Sequence, residues 1–132
     1  MARKWGQHFL KRPAVAERIL ETAGVEVGTP VWEIGPGAGI LTAALRKQGV
    51  RVLAVEIDPK LGAALRERFR GDVDFRLIEG DVLALSLEVL DEWDSGPWKV
   101  VANLPYNIST PLFFRMLAER HRWQSLTLMV QW

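Results

Sequence analysis

The sequence contains no cysteine among its 132 residues. Disulfide bonds and thiolate metal sites are therefore excluded, and the absence of cysteine is typical of a cytoplasmic protein. No apolar stretch in the sequence approaches the roughly 20 residues that are needed to span a bilayer. The basic start of the chain, MARKWGQHFLKRP, lacks the apolar segment of a signal peptide. We therefore expect a cytoplasmic protein with no membrane partner.

Net charge is also nearly absent, at +1, but the charged residues are unevenly distributed. The first thirteen residues carry four basic side chains and no acid, with Trp5 and Phe9 between them, whereas residues 79–94 are acidic. Basic residues interleaved with aromatic ones are typical of nucleic-acid binding. A solvated terminal arm would have the same composition, so charge alone leaves both interpretations open. The four basic residues are Arg3, Lys4, Lys11 and Arg12.

Segments with strand and helix patterns alternate along the chain. Short β-branched runs predict buried strands, and apolar residues at helical spacing, with Gly24 or Asp58-Pro59 at their ends, predict helices. This alternation predicts a doubly wound α/β fold with a mostly parallel sheet and helices on both faces. We expect one domain over residues 1–132 that is truncated after its fifth strand. The strands are predicted at 30–35, 50–57, 74–81, 98–103 and 125–131, and the helices at 13–23, 40–49, 58–71, 86–93 and 110–120.

Three glycines follow the first predicted strand, in the segment EIGPGAGILT at residues 33–42. Gly35, Gly37 and Gly39 allow a sharp turn and a close approach of a ligand to the backbone. Their G-x-G-x-G spacing differs from the dinucleotide fingerprint G-x-G-x-x-G, because Ile40 stands where the third glycine would be needed. The spacing, with Glu33 two residues before the first glycine, favours a nucleoside over a pyrophosphate. A tight turn that binds nothing stays the alternative.

Two further strands are followed by carboxylates. Glu56 ends the second predicted strand, about 20 residues after the glycine turn, where an acid can accept hydrogen bonds from both ribose hydroxyls. Asp81 follows the third strand and can accept from the exocyclic amine of an adenine. Acids favour a cationic ligand and repel phosphate. Together these groups predict S-adenosylmethionine, which has an adenine, a ribose and a sulfonium but no phosphate. An exposed strand end and a turn acid are the respective alternatives.

The fourth strand ends in the segment NLPY, at residues 103–106. The exocyclic amine of adenine is a poor nucleophile, and two acceptors on its hydrogens favour a more tetrahedral nitrogen. Asn103 can supply one acceptor, and the backbone carbonyl of Leu104 or Pro105 the other. Tyr106 can stack on the base, and alignment with a methyl donor would then provide most of the acceleration. The alternative is a proline turn with Tyr106 in the core.

These motifs together resemble one family. The segments GQHFL (6–10), EIGPGAGILT, VEID (55–58), GD (80–81) and NLPYNISTP (103–111) are similar to those of the small-subunit ribosomal RNA adenine-N6,N6-dimethyltransferases, the kasugamycin-resistance methyltransferases. The resemblance implies a Rossmann-like, class I S-adenosylmethionine-dependent methyltransferase fold. It also implies dimethylation of two adjacent adenosines in a hairpin loop near the 3′ end of small-subunit rRNA.

The resemblance also implies roles for individual residues. Gln7 would lie near the mouth of the active site, and residues 103–106 (Asn103, Leu104, Pro105 and Tyr106) would hold the target adenine. The family continues beyond residue 132, with further strands and a helical RNA-binding domain. We expect a monomer that binds rRNA of the immature small subunit and requires no metal. The cofactor would contact His8, Leu10, Gly35, Gly37, Glu56, Asp81 and Asn103.

Three arginines near the predicted last helix, together with the basic arm, can neutralise rRNA phosphates. Other functions stay open. The chain can be a non-catalytic assembly factor or a transcription factor on the same fold, or a DNA-adenine or protein-glutamine methyltransferase. Leu104, where those last two enzymes often have proline, weighs against both of them, and the glycine spacing disfavours an oxidoreductase. The three arginines are Arg115, Arg120 and Arg122.

Overall fold

The computed structural model describes residues 12–131, except for the side chains of residues 105, 106, 130 and 131. Within this range five strands form one parallel sheet in the order β3-β2-β1-β4-β5. The strand order reverses between β1 and β4, so the predicted doubly wound α/β fold is confirmed. The strands are β1 (Val31–Ile34), β2 (Val52–Glu56), β3 (Phe75–Glu79), β4 (Trp98–Pro105) and β5 (Trp123–Gln131), and the α-helices are α1 (Pro13–Ala23), α2 (Ile40–Lys47), α3 (Pro59–Arg68), α4 (Glu88–Trp93) and α5 (Tyr106–Ala118).

Local sequence signals fix several helix ends. Helix α1 starts at Pro13, as predicted, and ends at Gly24, which takes φ +64° and donates its N–H to the carbonyl of Leu20. Helix α3 is capped by Asp58, whose carboxylate accepts hydrogen bonds from the backbone N–H groups of Lys60 and Leu61 at 2.9 and 3.4 Å. These local groups set the start of both helices and the end of α1.

The passage from β4 to α5 differs from the prediction. Helix α5 begins at Tyr106 rather than at Thr110, and β4 continues to Pro105. Pro111 therefore lies inside the helix, where it has no N–H to donate to the carbonyl of residue 107. The chain thus passes directly from the strand into the helix, with no loop between the NLPY segment and α5.

The sheet is buried on both faces. One face packs residues such as Trp32 and Ala102 against Leu112 and Met116 of α5, and against Leu90 of α4. The other face packs β1 and β2 against the first three helices, through Leu20, Leu41, Leu45 and Leu65 among others. No helix within the described part of the chain is long and apolar enough to cross a membrane.

An ion-pair network joins the segments that precede the strands. Arg46 donates two hydrogen bonds to the carboxylate of Asp72, from Nε at 2.7 Å and Nη2 at 3.0 Å. Arg51 binds Asp74 and Asp94 and lies over the ring of Trp93, 4.1 Å from its centroid. The amino ends of the strands are thus held together by charges, at the edge opposite to the strand ends that carry the candidate site.

Candidate active site

The glycine turn and the end of β4 approach each other closely. Gly35 directly follows β1, donates its N–H to the carbonyl of Val55 at 3.0 Å and takes φ +72°. A Cβ atom at Gly35 would lie 2.7 Å from the carbonyl oxygen of Asn103, which is closer than such atoms can approach. The absence of a side chain at residue 35 therefore lets β1 and β4 end side by side, and it brings Asn103 to the glycine turn.

Glu56 joins the second strand to the same turn. Its side chain is buried, with Oε1 accepting a hydrogen bond from the N–H of Gly37 at 3.0 Å and Oε2 accepting one from the N–H of Asp58 at 2.9 Å. Glu56 thus ties the end of β2 to the glycine turn and to the start of α3.

A second buried acid, Glu33, lies behind the glycine turn, and the sequence analysis gave it no binding role. The hydroxyl of Thr42 donates a hydrogen bond to its Oε1 at 2.5 Å. Burial raises the pKa of Glu33 to about 7, the nearby Glu56 also raises it, and the Thr42 hydrogen bond opposes the shift. The signal that could have identified Glu33 is a lone acid within an apolar run, two residues before the first glycine.

Asp81 lies beside Glu56, after β3. The backbone N–H of Gly80 donates to the carbonyl of Glu56 at 2.9 Å, which fixes the start of this turn. Asp81 itself is exposed and accepts a hydrogen bond from the N–H of Leu83 at 2.9 Å, while its carbonyl accepts one from Ala84 at 3.0 Å. Asp81 is therefore a turn-forming acid, and its exposure also leaves it accessible to a ligand.

At the end of β4, Asn103 can present its side chain to a ligand, whereas Leu104 can present only its backbone. Asn103 is half-buried, whereas the side chain of Leu104 is buried in the core. At residue 104 only the backbone can therefore face a bound base. The side chains of Pro105 and Tyr106 lie outside the described residues, so stacking by Tyr106 stays a prediction.

Two exposed apolar side chains lie next to the acids and were missed by the sequence analysis. Ile57, between Glu56 and Asp58, is 56% exposed, and Leu83 is 38% exposed. Exposed side chains of this size at the rim of a polar site can pack against the flat face of a ring. An apolar residue directly after the acid that ends a strand is the signal that could have revealed Ile57.

Several predicted residues fall outside the described range. Gln7, His8 and Leu10, together with Arg3, Lys4 and Lys11 of the basic arm, precede residue 12. Their predicted roles are therefore not addressed by the structure. Among the described side chains, no cluster of three or more His, Asp or Glu residues is arranged to hold a metal ion.

Two of the three arginines that were predicted to face phosphates are engaged within the protein. Arg115 donates hydrogen bonds to the carbonyls of Val82 and Leu85. The Arg122 side chain is only 14% exposed and binds Asp91. Phosphate contacts by Arg115 and Arg122 are therefore not supported, because their guanidinium groups bind neighbouring segments. Arg120 is exposed, as expected.

Residues 1–132 match the sequence model of a family described as ribosomal RNA adenine dimethylase. The chain belongs to this family. The family prediction is confirmed, and the five-stranded parallel sheet is that of a Rossmann-like methyltransferase fold. Membership of the ribosomal RNA adenine dimethylase family also argues against the oxidoreductase, DNA-adenine and protein-glutamine alternatives.

Individual relatives of the dimethylase family agree with this assignment. A curated relative from Geobacter sulfurreducens, named ribosomal RNA small subunit methyltransferase A, is 46% identical over 127 residues, which are 96% of this chain and 46% of the relative. The crystal structure of the 23S rRNA methyltransferase ErmE superposes with a TM-score of 0.79 at 31% identity, covering 93% of this chain and 48% of ErmE. A dimethyladenosine transferase from Plasmodium falciparum gives a TM-score of 0.77 at 29% identity, over 94% of this chain and 43% of the transferase. The chain thus spans about half the length of these relatives.

Proposed function

We propose that this chain forms the cofactor- and target-base-binding part of an S-adenosylmethionine-dependent enzyme that dimethylates N6 of two adjacent adenosines in small-subunit rRNA. The description of the family and the name of the Geobacter relative support the reaction and its substrate. The observation that carries the proposal is the contact of the Gly35 turn with Asn103, beside the buried Glu56. This arrangement joins the two halves of a methyl-transfer site at one edge of the sheet.

The residues at this edge fit the parts of S-adenosylmethionine. Glu56 can accept hydrogen bonds from the ribose hydroxyls, and Asp81 from the adenine amine. Ile57 and Leu83 provide exposed apolar surface for the adenine ring. The glycine turn, with Gly37 bound to Glu56, allows the backbone to approach the remainder of the ligand. His8 and Leu10 are proposed as further contacts, on the family resemblance alone.

The end of β4 is proposed to hold the target adenine. The side-chain oxygen of Asn103 and a backbone carbonyl at residue 104 or 105 accept from the two hydrogens of N6, which favours a nucleophilic nitrogen. Tyr106 stacks on the base and keeps it out of its loop. Bound S-adenosylmethionine supplies a methyl group on a cationic sulfur. No strong base is needed in the protein, because the proton leaves a cationic nitrogen.

Other properties of the proposed enzyme follow from the same family assignment. We propose that its partner is the immature small ribosomal subunit, and that it acts as a monomer in the cytoplasm, without a metal. The domain assignment, in which residues 1–132 form an incomplete methyltransferase domain, also stays a proposal. The exposed Arg120 and the basic arm, including Arg12, would contact rRNA phosphates in a salt-dependent manner.

Calorimetry with S-adenosylmethionine tests the ribose assignment. The Glu56→Gln change keeps the size of the side chain but removes its charge, and charge-assisted hydrogen bonds are the stronger ones. We expect affinity to fall by at least about tenfold. Glu79→Gln is the matched control, because Glu79 pairs with Glu56 across the sheet but binds Arg66 at 2.7 Å. Unchanged affinity in the Glu56 variant would refute the ribose assignment.

Methyl transfer to immature small subunits tests the reaction. Radiolabelled cofactor is supplied to this chain and to the chain extended at residue 132 by the remaining residues of the Geobacter relative. Transfer by the extended chain is expected to slow by about a hundredfold in Asn103→Ala, because misplacement of a reacting group costs a factor of this order. If the extended chain and its Asn103→Ala variant bind rRNA equally well and neither transfers a methyl group, the protein is an assembly factor instead.

A further inference from the structure

Arg115 connects helix α5, which follows the proposed target-base element, to the segment that follows Asp81 in the proposed cofactor site. Its side chain is half-buried on α5, with Nη1 donating to the carbonyl of Val82 and Nη2 donating to the carbonyl of Leu85. These two carbonyls bracket the short segment that directly follows Asp81. One guanidinium group thus holds both ends of residues 82–85.

This segment depends on α5 for its position. Residues 82–85 belong to no helix or strand, so no ladder of backbone hydrogen bonds fixes them. Val82 is buried in the same cluster as Leu112 and Met116 of α5. Apolar packing at Val82 and the two bonds from Arg115 therefore set where the Asp81 turn lies relative to the helix.

The other end of α5 carries the proposed target-base element. The helix starts at Tyr106, immediately after β4, and its 13 residues extend about 20 Å. Tyr106 and Arg115 therefore lie on the same helix, with Pro111 between them. Arg115 thus attaches the segment after Asp81 to the helix that begins at the proposed target-base element.

We propose that Arg115 is a positioning residue that holds the Asp81 turn against α5 and thereby places Asp81 for the adenine end of the cofactor. This inference rests on the proposed function for the identity of the ligand. The positioning itself concerns only this chain and can be measured without a ligand.

Hydrogen exchange of the unliganded chain tests the positioning directly. The N–H groups of Leu83 and Ala84 both donate to Asp81, so their protection reports on the turn. We expect Arg115→Gln to accelerate their exchange by about tenfold relative to the rest of the chain, at the scale of ordinary coupling between sites. Unchanged exchange at both amides would overturn the proposal.

Arg122→Gln is the matched control for this experiment. Arg122 follows α5, is also largely buried and binds Asp91 of α4, but it has no bond to residues 82–85. We expect both glutamine variants to lose global stability, and only Arg115→Gln to expose the Asp81 turn. Arg115→Lys is expected to restore part of the protection, because a lysine can donate to one of the two carbonyls.

Cofactor affinity distinguishes the positioning role from the proposed function. Arg115→Gln should weaken S-adenosylmethionine binding by about tenfold, and this effect should vanish when Asp81 is already alanine. Additive effects of the two changes would show that Arg115 does not act through Asp81, and would overturn its proposed role in placing Asp81. If the unchanged chain binds no cofactor while Arg115→Gln still accelerates exchange, the positioning is supported and the proposed function fails.

Discussion

Replacement of Gly35 by alanine tests the close approach that defines the site. The added Cβ would lie 2.7 Å from the carbonyl oxygen of Asn103, and the nearby atom belongs to the backbone rather than to a flexible side chain. Either β4 or the glycine turn must therefore move. Both movements would displace Asn103 from the turn that is proposed to hold the cofactor.

The expected loss of stability has two parts. Gly35 takes φ +72°, and a left-handed conformation costs an alanine about 1–2 kcal/mol. Forcing an extra carbon into a packed region costs about 1–3 kcal/mol more. The free energy of unfolding should therefore fall by about 2–5 kcal/mol in Gly35→Ala. Gly71→Ala is the control, because Gly71 takes φ +81° but has nothing within 4 Å of its added Cβ. Gly71→Ala should therefore lose only the roughly 1–2 kcal/mol that the left-handed conformation costs.

Urea unfolding, followed by tryptophan fluorescence, measures both losses. Trp32 and Trp98 are buried in the core and report its disruption. Any effect of alanine on the unfolded chain is shared by the two variants, so their difference isolates the contact with Asn103. Equal losses in Gly35→Ala and Gly71→Ala would refute the close approach. Cofactor affinity, measured on the folded variants, should fall only for Gly35→Ala.

Two further predictions concern the pH dependence of stability. The raised pKa of Glu33, about 7 against 4.5, gives stability that is fully present below pH 4.5 and lost as pH rises through 7. Glu33→Gln keeps an acceptor for Thr42 and should abolish this loss of about 3 kcal/mol in the free energy of unfolding. Urea unfolding at several pH values measures it, and the same pH dependence in the variant and the unchanged chain would contradict the prediction. The hydrogen bond from Arg46 lowers the pKa of Asp72 in the folded protein. The stability that Asp72 contributes is therefore present above its pKa in the unfolded chain, and it is lost as pH falls through its pKa in the folded protein. Asp72→Asn should cost about 1 kcal/mol at pH 7 and nothing in strong acid, with cofactor affinity unchanged in calorimetry.

Local chemistry made much of the fold predictable. Proline, aspartate and glycine at helix ends act over one turn of chain, so Pro13, Gly24 and Asp58 could be assigned from the sequence. Buried strands are continuous apolar runs, and parallel strands must end at one edge. The proximity of the first, second and fourth strand ends therefore followed from the alternation of elements.

Contacts between distant residues were less predictable. The orientation of Arg115 depends on carbonyls that are 30 or more positions away in the sequence, and no local pattern specifies them. The start of α5 was misplaced because Pro111 resembles a first helical residue. Ile108, one turn before Leu112, packs against the same core, which supports an earlier start of the helix. The elevated pKa of Glu33 required knowing that its strand is covered on both faces.

The ion pairs at the amino ends of the strands mark a side of the molecule that is suitable for chemical attachment. Arg46, Arg51 and their carboxylate partners lie at the opposite rim from Gly35 and Asn103. A dye, an affinity tag or a surface linker attached near Asp74 would leave the side that carries Gly35 and Asn103 exposed to solution. The protein can thus be immobilised in a defined orientation, with the ends of the strands that carry Gly35 and Asn103 facing the solution.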